Sequence, residues 1–261
     1  MSLLYPLTFL DMLQRLHLET GTSGITPGAV SGQADQITRL TMWLSSAWVE
    51  IQMQNPDAAF LRQSISFTLS NGVYAYSPQT IFTGSAAATN GYTVNQYFGH
   101  WKLDTARIYT TASGTNDEFP IEEIEYDLWR DQYLLGALRN SRTRPIVVAD
   151  GPLGHELYLG PVPNGNYTMS TDFFLSPQPL VADADTPSGV LTKIFYNNLV
   201  GTGFLVPVQY NMMIVYKAMM DYGAYEGAPE VYNRGELGYN QIAKRVMMKE
   251  RPVVKTGGPL A

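Results

Sequence analysis

The chain has 261 residues, 45% of them hydrophobic and 12% aromatic, so it holds enough apolar material for a sizeable core and cannot be disordered throughout. It contains no cysteine, which excludes a disulfide framework, a thiolate zinc site and a cysteine nucleophile; its 17 basic and 23 acidic residues leave a net charge of −6, the wrong sign for broad binding to nucleic acid. Charged residues make up only 15%, against an ordinary share of about 25%, and tyrosines number 17, a balance that predicts a surface facing other protein.

The opening Met1-Ser-Leu-Leu-Tyr-Pro has no basic n-region, and no stretch approaches about 20 consecutive apolar residues, so a soluble protein made in a cytoplasm, with no membrane contact, is expected. Thr8 caps a first helix, with Asp11 as the acidic partner of a capping box and Phe9, Leu13 and Leu16 at helical spacing. Gly21 should stop it, and 22–33 reads as loop. A second helix carries Ile37, Leu40, Leu44, Ala47, Trp48 and Ile51 in one stripe and ends at Asn55-Pro56. From Ser64 the period becomes two. Ile65, Phe67 and Leu69 alternate with polar residues, Asn71-Gly72 predicts a hairpin, and 73–76 runs back. Further strands are expected at 103–110, 145–149, 156–159 and 167–175, with 150–154 as a hairpin loop. The acidic segment 117–131 holds seven carboxylates and one arginine, and 126–138 reads as a short helix. Two stretches, 80–101 and 190–206, look like insertions. After Pro207 a methionine-rich stripe (Val208, Met212, Val215, Tyr216, Met219) predicts a helix, broken at Gly227. Pro229 suits the first turn of the next, which carries Tyr232, Gly235, Tyr239, Ile242 and Val246. Arg251-Pro252 ends that helix, and a Gly/Pro-rich basic tail follows. The fold class is α+β: N-terminal helices (1–63) and C-terminal helices (207–250) form a helical bundle, an antiparallel β domain (64–206) is inserted, and 251–261 is an extended tail.

A search for chemistry finds little. His17, His100 and His155 are far apart and none sits in a zinc-binding pattern; His17 reads as a helix flank and the others as loop residues. There is no nucleophile elbow, phosphate-binding loop or dinucleotide turn. Asp183-Ala-Asp185 opens like a calcium loop, but Pro187 falls at a ligand position, so a solvated loop is the simpler reading. Glu122, Glu123, Glu125 and Asp127 could supply a general acid and base as glycosidases require, although such charge runs are more often solvated faces or pore linings. Trp101 and Trp129 are the rings expected at the surface, Trp43 and Trp48 lying on the striped helix. No catalytic constellation, cofactor or metal site emerges.

The order of several motifs carries a resemblance. They are Thr8-Phe-Leu-Asp-Met-Leu-Gln-Arg-Leu, Trp43-Leu-Ser-Ser-Ala-Trp-Val-Glu-Ile-Gln, Pro120-Ile-Glu-Glu-Ile-Glu-Tyr-Asp, Leu157-Tyr-Leu-Gly-Pro-Val-Pro, Asp183-Ala-Asp-Thr-Pro and the block from Tyr210 to Tyr232. Together they resemble head-to-tail adaptor (connector, head-completion) proteins of tailed bacteriophages, over most of the chain. The resemblance implies a structural virion protein of the neck and not an enzyme. Such a protein forms a homo-oligomeric ring, typically a dodecamer, beneath the portal. It extends the DNA channel without binding DNA specifically and offers a docking surface to the tail or the next neck protein. It also implies a C-terminal tail that reaches the portal, here through Arg251, Val253, Val254, Lys255 and Leu260. An acidic channel lining would draw on Glu122, Glu123, Glu125, Asp127, Asp183 and Asp185, because carboxylates repel phosphates within about 8 Å. The alternative is a virion-associated protein that binds or hydrolyses carbohydrate.

Overall fold

The structure is a computed structural model that describes residues 7–32, 35–84, 98–152, 155–177, 179–180 and 208–250. The fold is mixed α+β. The chain divides into a helical unit, Met1–Phe60 with Gln178–Ala261, and a β-rich unit, Leu61–Pro177.

In the helical unit, α1 (Phe9–Thr20) starts at the expected box. Asp11 N–H donates to Thr8 Oγ1 at 3.0 Å, and Thr8 N–H donates to Asp11 Oδ2 at 2.9 Å. The helix stops at Gly21, whose φ of 65° is the left-handed conformation that costs glycine least. The long helix α2 (Asp35–Gln54) buries Leu40, Leu44, Ala47, Trp48 and Ile51, the expected stripe. Helix α5 (Val208–Glu226) packs against α6 (Pro229–Glu250), α2 and α1. With partners on several sides it buries more than a stripe: Tyr210, Asn211, Met213, Ile214, Val215, Ala218, Met219 and Tyr222. Met213 rather than Met212 is the fully buried methionine of this turn.

Glycines let α5 and α6 approach closely. A Cβ on Gly235 would lie 2.8 Å from the Tyr216 carbonyl oxygen, and one on Gly238 2.7 Å from the Tyr216 ring. The reversal between the helices uses Gly227 at φ 64°, with Ala228 N–H reaching back to the Gly223 carbonyl at 2.9 Å.

Among the described residues the β-rich unit has two four-stranded sheets. The first runs β1 (Arg62–Leu69), β10 (Tyr167–Leu175), β3 (Phe98–Thr110), β4 (Phe119–Pro120). The second runs β2 (Ala75–Tyr76), β8 (Leu157–Gly160), β7 (Val147–Asp150), β5 (Glu122–Glu123). A small pair joins β6 (Arg142–Thr143) to β9 (Val162–Pro163). The long ladders are antiparallel, and β5–β7 and β6–β9 add two short parallel pairings. Segment 62–76 crosses between the sheets at one lateral edge and 119–123 crosses at the other.

Three local expectations change. Asn71-Gly72 does turn the chain, with Gly72 at φ 80° and Val73 N–H donating to Ser70 O at 3.2 Å, but no hairpin results. β1 pairs with β10 along its whole length, and β2 joins β8 in the other sheet. β3 begins at Phe98, inside a stretch read as insertion, because Phe98 and Trp101 enter a ring cluster with Phe82 and Phe173. The start of that stretch, 80–84, belongs to α3 (Pro78–Gly84). The helix expected at 126–138 is shorter. It consists of α4 (Tyr126–Trp129) and a π-helical turn, Arg130–Leu134, with turns beyond.

Candidate interaction site

The acidic segment separates into bound and free carboxylates. Asp117 accepts from Thr110 N–H at 3.1 Å, from Thr110 Oγ1 at 2.7 Å and from Arg144 Nη1 at 3.0 Å. The Thr110 hydroxyl bond, aided by Arg144, holds its carboxyl below the usual carboxylate range. Arg144 also donates to the Ile108 carbonyl and lies 4.0 Å over the Phe119 ring. Glu118 faces Arg107 at 3.8 Å. By contrast Glu122 and Glu123 on β5, Glu125 just before α4 and Asp127 within it are all exposed, and none makes an ion pair among the described residues. Asp183, Asp185, Arg251, Val253, Val254, Lys255 and Leu260 lie outside the described residues, as does the stretch 190–206.

Immediately after the free carboxylates the chain turns inward. Trp129 is 1% exposed and Tyr133 is buried, both in a cluster with Val147 and Ala149. Tyr74 stacks on Trp129 at 5.8 Å between centroids, and Tyr158 lies 4.8 Å from it. The Tyr133 ring occupies the space a side chain at residue 160 would need, so Gly160 is required there by close approach. Burial first, and then the Glu122 carboxylate, push the Tyr133 hydroxyl pKa up.

Beside this cluster opens a cavity of about 250 Å³, lined by Gly72, Tyr74, Trp129, Tyr133, Arg139 and Arg142 among others. Arg139 and Arg142 are exposed and make no ion pair among the described residues. The indole N–H of Trp129 is buried without a hydrogen-bond partner among them. Among the described residues that line the cavity there is no carboxylate.

Several sequence readings are corrected here. Trp129 and Trp101, expected at the surface, are buried, and Trp101 Nε1 donates to the His155 carbonyl at 2.7 Å. His17 is buried in α1, and His100 is a strand residue stacked on Phe174. His155 is exposed, with Nδ1 3.0 Å from Asp150 Oδ2. The cavity residues Tyr74, Tyr133, Arg139 and Arg142 were not singled out from sequence. The available signal was the basic run Arg139, Arg142, Arg144 directly after an acidic one. Among the described residues no group of three or more His, Asp or Glu could hold a metal ion, and no helix is long and apolar enough to cross a membrane.

Compared with known protein families, residues 7–254 match the model described as SU10 adaptor protein, nearly the whole chain. The chain belongs to the SU10 adaptor protein family. Membership of this family supports a structural role as a bacteriophage adaptor. Comparison with curated proteins gives no significant match.

Proposed function

We propose that this SU10 adaptor assembles as a homo-oligomeric ring, a dodecamer, in the virion neck. There it joins the portal to the tail or to the next neck protein and continues the DNA channel. It does so as a scaffold, with no catalytic step of its own. The observation that carries the reading is the family match over residues 7–254. The scarcity of charge and the free carboxylates and arginines of the β-rich unit support it, since a subunit surrounded by protein leaves few charges to water.

Passage of DNA calls for a wall that does not hold phosphates, so part of the set Glu122, Glu123, Glu125, Asp127, Asp183 and Asp185 faces the lumen in this reading. Attachment to the portal falls to residues 251–261. Their apolar Val253, Val254 and Leu260 and basic Arg251 and Lys255 suit an extended peptide that adds main-chain hydrogen bonds and charge pairing to a neighbour. Light scattering of the purified chain, alone and mixed with its portal, tests the assembly. A large closed species with portal is expected, and strict monomers under both conditions would refute the reading.

A further inference from the structure

A ring built from one kind of chain needs two different, mutually complementary surfaces on every copy, because each subunit meets its neighbours head to tail. The second sheet of the β-rich unit carries such a pair. Its order, β2-β8-β7-β5, makes β2 and β5 opposite edges, three strand spacings or about 14 Å apart.

At the β2 edge lies the cavity. Gly72 and Tyr74 run directly into β2, and Gly72 N–H donates to the Pro163 carbonyl at 2.9 Å, which holds β9 alongside. Arg142 Nη1 sits 3.3 Å from where a Gly72 Cβ would be, so the guanidinium lies against this edge. Arg139 lines the same opening, and exposed apolar side chains, Val73 and Leu138, stand in the segments flanking it.

The β5 edge has the opposite charge. Side chains alternate along a strand, and the ladder continues past β5 through Ile124 N–H to the Val148 carbonyl at 2.9 Å. Ile124 packs on the Trp129 cluster, so Glu122 shares that face, while Glu123 and Glu125 share the other. Both are exposed and without an ion pair among the described residues. Ile146, hydrogen-bonded to this edge through its carbonyl, is 51% exposed and supplies an apolar side chain there. Each edge thus has two unpaired charges and exposed apolar surface, with opposite signs.

We infer that the occupant of the Arg139–Arg142 cavity is a second copy of this chain: Glu123 and Glu125 of one subunit pair with Arg139 and Arg142 of the next, head to tail around the ring. Each contact uses one edge of each subunit and leaves the other free for the following neighbour. The inference rests on the ring reading, naming the surface through which the ring would close.

Charge reversal on the full-length chain tests it, with assembly followed by mass photometry in the presence of portal. Two variants are made, Glu123→Arg with Glu125→Arg, and Arg139→Glu with Arg142→Glu. Melting curves establish that each folds, and Arg139→Asp with Arg142→Asp replaces the second if it does not. Each variant alone should need on the order of tenfold or more protein to assemble. An equimolar mixture of the two, or all four changes in one chain, should restore assembly, because each acidic surface again meets a basic one. Folded single variants that assemble like the unaltered chain would overturn the inference. So would failure of both the mixture and the combined variant to recover, or arginine variants that form rings but lose portal, since the cavity would then receive another protein. If the unaltered chain itself stays monomeric with portal, the ring reading falls and takes this inference with it.

Discussion

Asp117 and Arg144 form a knot at the end of the first sheet, where one carboxylate takes three hydrogen bonds and one guanidinium covers the Phe119 ring. A carboxyl held below its usual range stabilises the fold while ionised. That contribution is fully present above the unfolded value of about 3.9 and disappears as pH falls through the lower folded value. Asp117→Asn should therefore lower the melting temperature at neutral pH and flatten the loss of stability below about pH 4, a difference visible in melting curves across that range. An identical acid limb in both proteins would contradict this. Thr8→Ala removes the acceptor of the α1 cap and should cost about 1 kcal/mol in denaturant unfolding. The capping box was legible because all its determinants lie within four residues. The burial of Trp129 was not, because Tyr74 and Tyr158, which cover it, lie far away in sequence.

For whole elements, legibility follows the distance over which the stabilising contacts act. The α2 stripe could be read from spacing alone, and the structure buries five of its six members. The Asn71-Gly72 turn was also legible, yet its chemistry fixes only a local reversal. Partner choice came from longer range: β1 finds eight residue positions in β10, whereas β2 offers only two. The extension of β3 back to Phe98 likewise depends on rings at 82 and 173 that no local pattern reveals. The α5–α6 hairpin shows the same limit, since glycines at 235 and 238 read as weak helix formers while the fold uses them for close approach. Gly235→Ala would push a methyl group against the Tyr216 carbonyl and should destabilise by about 1–3 kcal/mol. Gly28→Ala, with open space around it, should stay within about 0.5 kcal/mol of the parent in the same denaturant titration. Equal effects at both positions would argue against close packing of the two helices.

For the whole molecule, the family was legible in the order of weak motifs, whereas the cavity at the β2 edge was not, because its walls come from residues as far apart in the chain as Gly72, Trp129, Arg142 and Val162. A chain that ends in an apolar, basic, Gly/Pro-rich peptide has separated attachment from folding in the proposed arrangement. Deleting residues 251–261 should leave the melting temperature nearly unchanged and abolish stable attachment to the portal in a co-sedimentation assay. If the truncated chain docked as tightly as the intact one, the helical unit itself would have to carry the attachment. The most direct test of the central claim is negative-stain imaging of the purified protein with and without its portal. The adaptor account predicts a closed ring of copies seated on the portal with an open central passage. Portal particles that remain bare at saturating adaptor, beside adaptor that stays monomeric, would contradict it.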